Sequence, residues 1–385
     1  MVRRKSTQLG LGGQQAQATN ETGLAALPAE LLLEISLWFR PSSTRTGSSE
    51  FVSPSELQTI RAFRALSQTS QRLRLFFLPF AWERVLVCPE SNSADSESSP
   101  KEIRLSQKQL ATELVAQLET VVIRTDILSD FVHSMTFTLS EYCEDRVIPE
   151  LTRSLSLLNN LRVLCILDAP SRNSRRSKDL FESASLYKYP GIRRLTVPPR
   201  AITIAWSCRN LQQLILSGPL WGERGNVLKK VTRGQLSFVS LANATPNLRS
   251  FICESIDVSS VFHFGLSQLP PTLEELGFVE VGYSGFSSAI LEKLASHPSL
   301  LRMHFALESD SEPTGTITAN AYQVARAERK LQEAAQLART LMISKKSINT
   351  REVYVTLGFS SDGRKCECGP MGWEEVEELK MVEYM

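Results

Sequence analysis

An α/β solenoid preceded by a three-helix unit is the fold class that this sequence predicts, and three observations predict it. A kernel of the form L-x-x-L-x-L recurs down the chain, first seen clearly at Leu161 to Ile166. Amphipathic helical patterns lie between the copies. A polar break at residues 89–101 separates this array from an apolar helical pattern that runs from Leu27 to Val87. One strand plus one helix, repeated every few tens of residues, describes a chain in which each unit buries its apolar face against the next.

Taken in order, residues 1–26 carry few large apolar side chains and many Gly, Gln and Thr, so a disordered tail is expected. Pro28 favours the first turn of a helix, where its missing N–H has no partner to lose. Glu30 adds negative charge near the same end. Leu31, Leu32 and Ile35 then form one stripe, while Leu33, Leu37 and Trp38 fall partly on a second face. A helix apolar on two faces either lies inside a bundle or binds a partner. The second helix is expected to start at Ser53 or Ser55, with Pro54 near its first position and Glu56 completing a capping box with Ser53. Leu57, Ile60, Phe63 and Leu66 are its buried stripe. Ser70 caps a third helix that buries Leu73, Phe76 and Phe77; Pro79 is expected to stop it, and Trp82 to anchor the chain beyond. Three helices in about sixty residues are near the lower size for independent folding.

The kernel recurs at Leu161, Ile192, Leu211, Leu248, Leu273 and Leu300, with weaker copies at Val132 to Leu139 and Val353 to Leu357. The first apolar positions 161, 192, 211, 248, 273 and 300 are separated by 31, 19, 37, 25 and 27 residues. In each copy the last two apolar positions are two apart, the period of a strand with one buried face. Between them Val147, Ile148, Leu151, Leu155 and Leu158 make a helical stripe, as do Ile290, Leu291 and Leu294. Thr232 to Ala242 and Ser260 to Leu269 are shorter versions, and Ala321 to Met342 is the longest helical pattern. The expected limits are a tail over 1–26, a helical domain over 27–87, a polar linker over 88–105 and the strand–helix domain over 106–385.

Several residues of the first unit carry a family pattern. Leu27-Pro28, Glu30-Leu31-Leu32, Ile35, then Leu66-Ser67, Ser70, Leu73-Arg74, then Pro79, Trp82 and Val85 together resemble an F-box, over residues 27–87. The array that follows resembles divergent leucine-rich repeats, whose usual length is about 20–29 residues; this pairing is a common one in fungal families. Residues 41–53 lengthen the first connection beyond the F-box pattern. The positions where regular leucine-rich repeats place a turn-bonding Asn or Cys hold Ala169, Arg200, Pro219, Ile256, Val281 and Glu308. The F-box resemblance implies that Leu27, Pro28, Leu31, Leu32 and Ile35 reach a Skp-type adaptor, and through it the cullin scaffold of an SCF-type ubiquitin ligase. The chain would then be a non-enzymatic substrate-recognition subunit with an unidentified target protein. Two other readings stay open: a leucine-rich-repeat interaction scaffold with no ubiquitin role, its helices serving as a cap, and an enzyme on a doubly wound α/β sheet.

Kernel leucines point inward, so their alternating neighbours are the expected target-binding row. They are Val163, Cys165, Arg194, Thr196, Gln213, Ile215, Ser250, Ile252, Glu275, Arg302 and His304, with Gly277 among them. The row is mixed in charge. A formal net charge of +2 lacks the basic excess of a nucleic-acid binder. Seven dispersed Cys read as reduced intracellular thiols, and Cys366 and Cys368 have no His nearby to complete a metal set. The four His are not at metal-binding spacing, and neither a nucleophile elbow nor a phosphate-binding Gly loop is present. No catalytic residue, metal or cofactor is therefore expected. No apolar run reaches membrane-spanning length and no signal peptide is seen, so residence in the cytoplasm, the nucleus or both is expected. Arg172, Arg175, Arg176 and Lys178 form a basic loop, and Glu374 to Glu383 an acidic tail.

Overall fold

The computed structural model describes residues 23–39, 54–89, 100–124, 127–139, 142, 144–167, 187–217, 238–253, 269–279, 292, 294, 296–308, 329, 333, 336–338, 340 and 352–358. The basic loop at 172–178, the Cys366 pair and the acidic tail lie outside these residues, as does the expected helix over 260–269 except for Leu269. The helical patterns at 287–296 and 321–342 fall within them only at scattered positions.

Three helices come first. α1 spans Ala29–Phe39, α2 Pro54–Thr69 and α3 Gln71–Trp82. Ser70 caps α3 by accepting the Leu73 N–H through its side chain at 3.2 Å. Their core is small and aromatic: Ala25, Leu32, Phe63, Leu73, Phe77 and Ala81 are buried together, with Leu66, Phe76, Phe80 and Trp82 packed on them. The Phe63 ring stacks on Phe77 at 5.7 Å, and Phe76 meets Phe77 edge-on at 5.0 Å. Arg72 donates to the Leu27 carbonyl at 2.8 Å, which ties the start of α1 to α3.

Pro79 does not end α3, contrary to expectation; the helix continues to Trp82. A proline costs a helix the bond to the carbonyl four residues earlier. That carbonyl belongs to Leu75, a residue 74% exposed on the outer side of the helix, where water can replace the lost bond. The expected boundaries also shift. Arg84–Val87 is not part of the helical unit but the first strand of the sheet, and the predicted linker 88–105 is cut short by a helix that begins at Pro100. Pro at a first helical position again explains the start.

The rest of the described chain is an α/β arrangement on one sheet. Its strands are β1 Arg84–Val87, β2 Ser134–Phe137, β3 Val163–Ile166, β4 Arg194–Val197, β5 Gln213–Leu216, β6 Ser250–Cys253, β7 Glu275–Val279, β8 Arg302–Glu308 and β9 Glu352–Gly358. They lie in sequence order, and every neighbouring pair is parallel. Among the described residues the order never reverses. A doubly wound sheet has such a reversal, and binds its ligand there. The helices that connect the strands are α4 Pro100–Glu119, α5 Leu128–Phe131, α6 Glu144–Leu157 and α7 Phe238–Ala244, with a 3-10 stretch at Pro199–Ser207.

One face of the sheet makes the core. Val85, Met135, Leu164, Leu195, Leu214, Phe251, Leu276 and Met303 form one buried row across eight strands. Leu114 and Leu118 of α4, and Ile148, Leu151 and Leu155 of α6, pack in the same cluster. The predicted stripe Val147, Ile148, Leu151, Leu155 and Leu158 is buried throughout.

A recurring junction sets the register. The Glu83 carbonyl accepts the N–H groups of both His133 and Ser134. The His133 carbonyl does the same for Arg162 and Val163, Arg162 for Arg193 and Arg194, and Arg193 for Gln212 and Gln213. Gln212 serves Arg249 and Ser250, Arg249 serves Glu274 and Glu275, and Glu274 serves Leu301 and Arg302. Side chains bridge the same turns. Asn160 donates to the Asp130 carbonyl at 2.8 Å, Asn210 to Pro190 at 2.9 Å, Asn247 to Arg209 at 3.4 Å and Thr272 to Pro246 at 3.0 Å. The turn-bonding ladder missing after the strands thus has a counterpart before them. The polar residue preceding the kernel leucine supplies it in four copies, those of Leu161, Leu211, Leu248 and Leu273. Gly191 occupies the same position in its copy, and there a Cβ would meet the Leu161 and Asn159 carbonyl oxygens at 2.7 and 2.8 Å.

Candidate interaction surfaces

Two surfaces stand out, one on α1 and one on the open face of the sheet. On α1, the buried side is Leu32 and Ser36. Phe39 meets the Phe63 ring edge-on at 5.8 Å, but other apolar residues of α1 stay open: Leu31 is 45% exposed, Leu37 54% and Trp38 83%. At 100° per residue Leu31, Ile35 and Trp38 share a stripe with Pro28 at its start, and Leu33 and Leu37 flank the other side of the buried face. Of the five expected adaptor contacts, Pro28 and Leu31 are exposed, and Leu27 and Ile35 are half-buried. Leu32 is a correction. It is 1% exposed and belongs to the aromatic core, because it lies about 100° round the helix from Leu31. Trp38, absent from the expected contacts, is the most exposed large apolar residue of the surface. Trp38 was expected on the second face with Leu33 and Leu37; its i+7 spacing from Leu31 puts it on the Leu31–Ile35 stripe instead, a signal available in the sequence.

The unit is fastened to the sheet by charged side chains. Arg64 of α2 donates to Gln117 of α4 at 3.2 Å and lies over the Trp82 ring at 4.5 Å from its centroid. Burial pushes the Arg64 guanidinium below its ordinary pKa, and Glu113 nearby partly opposes the shift. Gln117 in turn donates to Glu113 at 2.6 Å, and Arg84 of β1 pairs with Glu56 of α2.

On the sheet, all eleven expected target residues fall on the face opposite the leucine row, in two ladders. Val163, Arg194, Gln213, Ser250, Glu275 and Arg302 are in register on β3 to β8, as are Cys165, Thr196, Ile215, Ile252, Gly277 and His304. Ser134 and Thr136 extend the ladders to β2 and were missed, because that copy is weak in sequence. The surface is less open than expected. Thr196, Ile215, Ser250, Ile252 and His304 are buried, and only Val163, Cys165, Arg194, Gln213, Glu275 and Arg302 retain access. Neighbouring rungs are about 4.8 Å apart, so side chains on one ladder cover one another. A Cβ on Gly277 would already meet the Ile252 side chain at 3.2 Å.

Glu275 organises a polar run across four strands. Its carboxylate lies 2.8 Å from His304 Nε2 and 4.0 Å from the Arg302 guanidinium. Ser250 hydrogen-bonds it as well, and Gln213 donates to Ser250 at 3.4 Å. Burial by itself would raise the Glu275 pKa. The hydrogen bonds from His304 and Ser250, with the charges of His304 and Arg302, outweigh burial and hold it at about 2 against an ordinary 4.5. A carboxyl depressed by folding adds stability that is present above its unfolded pKa and lost as pH falls through the folded one. Thermal melts followed by circular dichroism should therefore show Glu275→Gln less stable than the parent by on the order of 2–3 kcal/mol at neutral pH. The gap should close between about pH 4.5 and 2. A gap independent of pH would place the loss in packing instead.

Burial pushes the Cys88 and Cys208 thiols up to about 12, so neither is a ready thiolate. Among the described residues no group of three or more His, Cys, Asp or Glu is placed to hold a metal, and no helix is long and apolar enough to cross a membrane. What the chain presents is an α/β fold with one in-order parallel sheet and an exposed apolar helix at its start. A scan of protein-family models and a search of curated proteins return no match to it.

Proposed function

We propose that this chain is the substrate-recognition adaptor of an SCF-type cullin–RING ubiquitin ligase, acting in the cytoplasm or nucleus. The helical unit docks on a Skp-type adaptor, and the strand–helix array is a divergent leucine-rich-like solenoid that holds a target protein. The reaction itself belongs to the complex. This chain contributes proximity, since holding the target beside the transferred ubiquitin raises its effective concentration.

The observation that carries the reading is the α1 surface. Pro28, Leu31 and Trp38 are exposed on a unit whose core closes without them. An exposed apolar stripe on one helix fits docking of that helix against a partner. The Leu-Pro and Ser-x-x-Ser pattern within that unit supports the kind of partner. In-order parallel strands with a repeated junction support the solenoid.

Co-purification of the full chain with a Skp-type adaptor tests this. The parent chain should form a stable complex. A Leu31→Ala, Trp38→Ala double variant should weaken it by roughly tenfold or more, since buried aromatic anchors dominate interface energies. The same variant should melt at the parent temperature, because neither side chain is in the core. No complex with the parent chain would leave an interaction scaffold capped by three helices as the better reading.

A further inference from the structure

The charges of the sheet segregate along its length. On β6 to β8, arginines are matched by acids on the adjoining rung. Arg249 pairs with Glu274 at 3.8 Å, and Arg302 with Glu275 at 4.0 Å. At β3 and β4 the arrangement differs. The single carbonyl of Arg162 accepts the N–H groups of Arg193 at 2.8 Å and Arg194 at 3.0 Å, which brings the backbones of three arginines together where β3 and β4 begin, in the interior of the sheet. Arg162 and Arg193 are exposed, and Arg194 is half-buried on the open face. Among the described residues no acidic side chain pairs with any of them. The adjoining positions, His133, Ser134, Gln212 and Gln213, bring no acid either.

Like charges on adjoining rungs are destabilising, and the same sheet shows that glutamates fit such positions. We propose that Arg162, Arg193 and Arg194 bind an acidic segment of the target protein. The inference rests on the substrate-recognition reading above and names the chemistry of what is recognised. Guanidinium groups a rung apart suit successive carboxylates or phosphates of an extended chain, each taken through paired N–H donors. A nucleic acid is disfavoured by the overall charge of +2, which lacks the basic excess such binding uses.

The test is fluorescence anisotropy on the full chain with three labelled probes of equal charge: a Glu-rich peptide, a phosphoserine peptide and a single-stranded oligonucleotide. One or both peptides should bind, and binding should weaken with added salt. The arm that binds assigns carboxylate or phosphate as the group read. Arg193→Glu with Arg194→Glu should weaken binding roughly tenfold or more, while Arg249→Ala should leave it within about twofold. Arg162→Gln with Arg193→Gln guards against misfolding. It should lose binding and melt no lower than the parent, since it relieves like-charge contact. Failure of both peptides at low salt, equal losses in the patch and Arg249 variants, or tighter binding of the oligonucleotide would each overturn the proposal. Capture of the Skp-type adaptor is read separately. Capture without peptide binding sinks this inference alone, and peptide binding without capture sinks the ubiquitin-ligase reading alone.

Discussion

Phe77→Ala should remove about 3–5 kcal/mol from the helical unit, the usual cost of truncating a fully buried aromatic. Phe77 is fully buried, stacked on Phe63 and met edge-on by Phe76. The cavity cannot collapse easily, since residues of all three helices surround it, α3 being capped by Ser70 and tied to the start of α1 by the Arg72–Leu27 bond. A unit of about sixty residues has a margin of similar size, so the loss should open it. Limited proteolysis should then cut within residues 29–82 before it cuts the sheet, and adaptor capture should fail without any change to α1 itself. Denaturant melts would measure the loss. A cost below about 1 kcal/mol would mean that the aromatic cluster is not the core of this unit.

Gly191→Ala carries the second large effect, and its cause is backbone against backbone. The added Cβ would meet two carbonyl oxygens of the preceding turn, at 2.7 and 2.8 Å, where no side-chain rotation gives relief. The turn must move, and with it the bonds that join Arg193 and Arg194 to the Arg162 carbonyl. Overpacking of this kind costs about 1–3 kcal/mol. The melting temperature should fall, and anionic-peptide binding should fall with it, because the three arginines no longer meet. Asn210→Ala is the comparison. It removes one side-chain bond to the Pro190 carbonyl at the corresponding turn, a loss of about 1 kcal/mol that leaves β3 and β4 in register. Equal effects from the two variants would contradict the close approach at Gly191.

The kernel pattern was enough to place eight of the nine strands, six by clear copies and β2 and β9 by weak ones, because a buried face with a period of two residues tolerates no slip. The leucine row and its opposite ladders follow from that alternation, as does the α6 stripe. β1 was hidden. Arg84–Val87 follows Trp82 directly, and its four residues read as the end of a helical unit until pairing with Ser134–Phe137 makes them a strand. The limit of α3 was hidden for a related reason. A proline inside a helix is better tolerated where the carbonyl it strands can reach water, and exposure of Leu75 depends on how three helices pack.

At the two surfaces, residue types and helix or strand period decide which side chains share a face, and these were legible. The apolar character of α1 and the membership of the sheet ladders both rest on periods of the backbone alone. How much of each side chain water still reaches depends on neighbours distant in sequence. Packing of α1 on α2 and α3 buries Leu32 and leaves Trp38 open, and close rungs bury Ile252 and His304 on a face expected to be accessible. The pairing of charges is likewise tertiary. Arg194 and Arg302 occupy the same place in their kernels, yet only Arg302 has a glutamate on the adjoining rung. Period is a property of one segment, whereas burial and charge compensation are properties of segments brought together, and only the folded sheet brings them together.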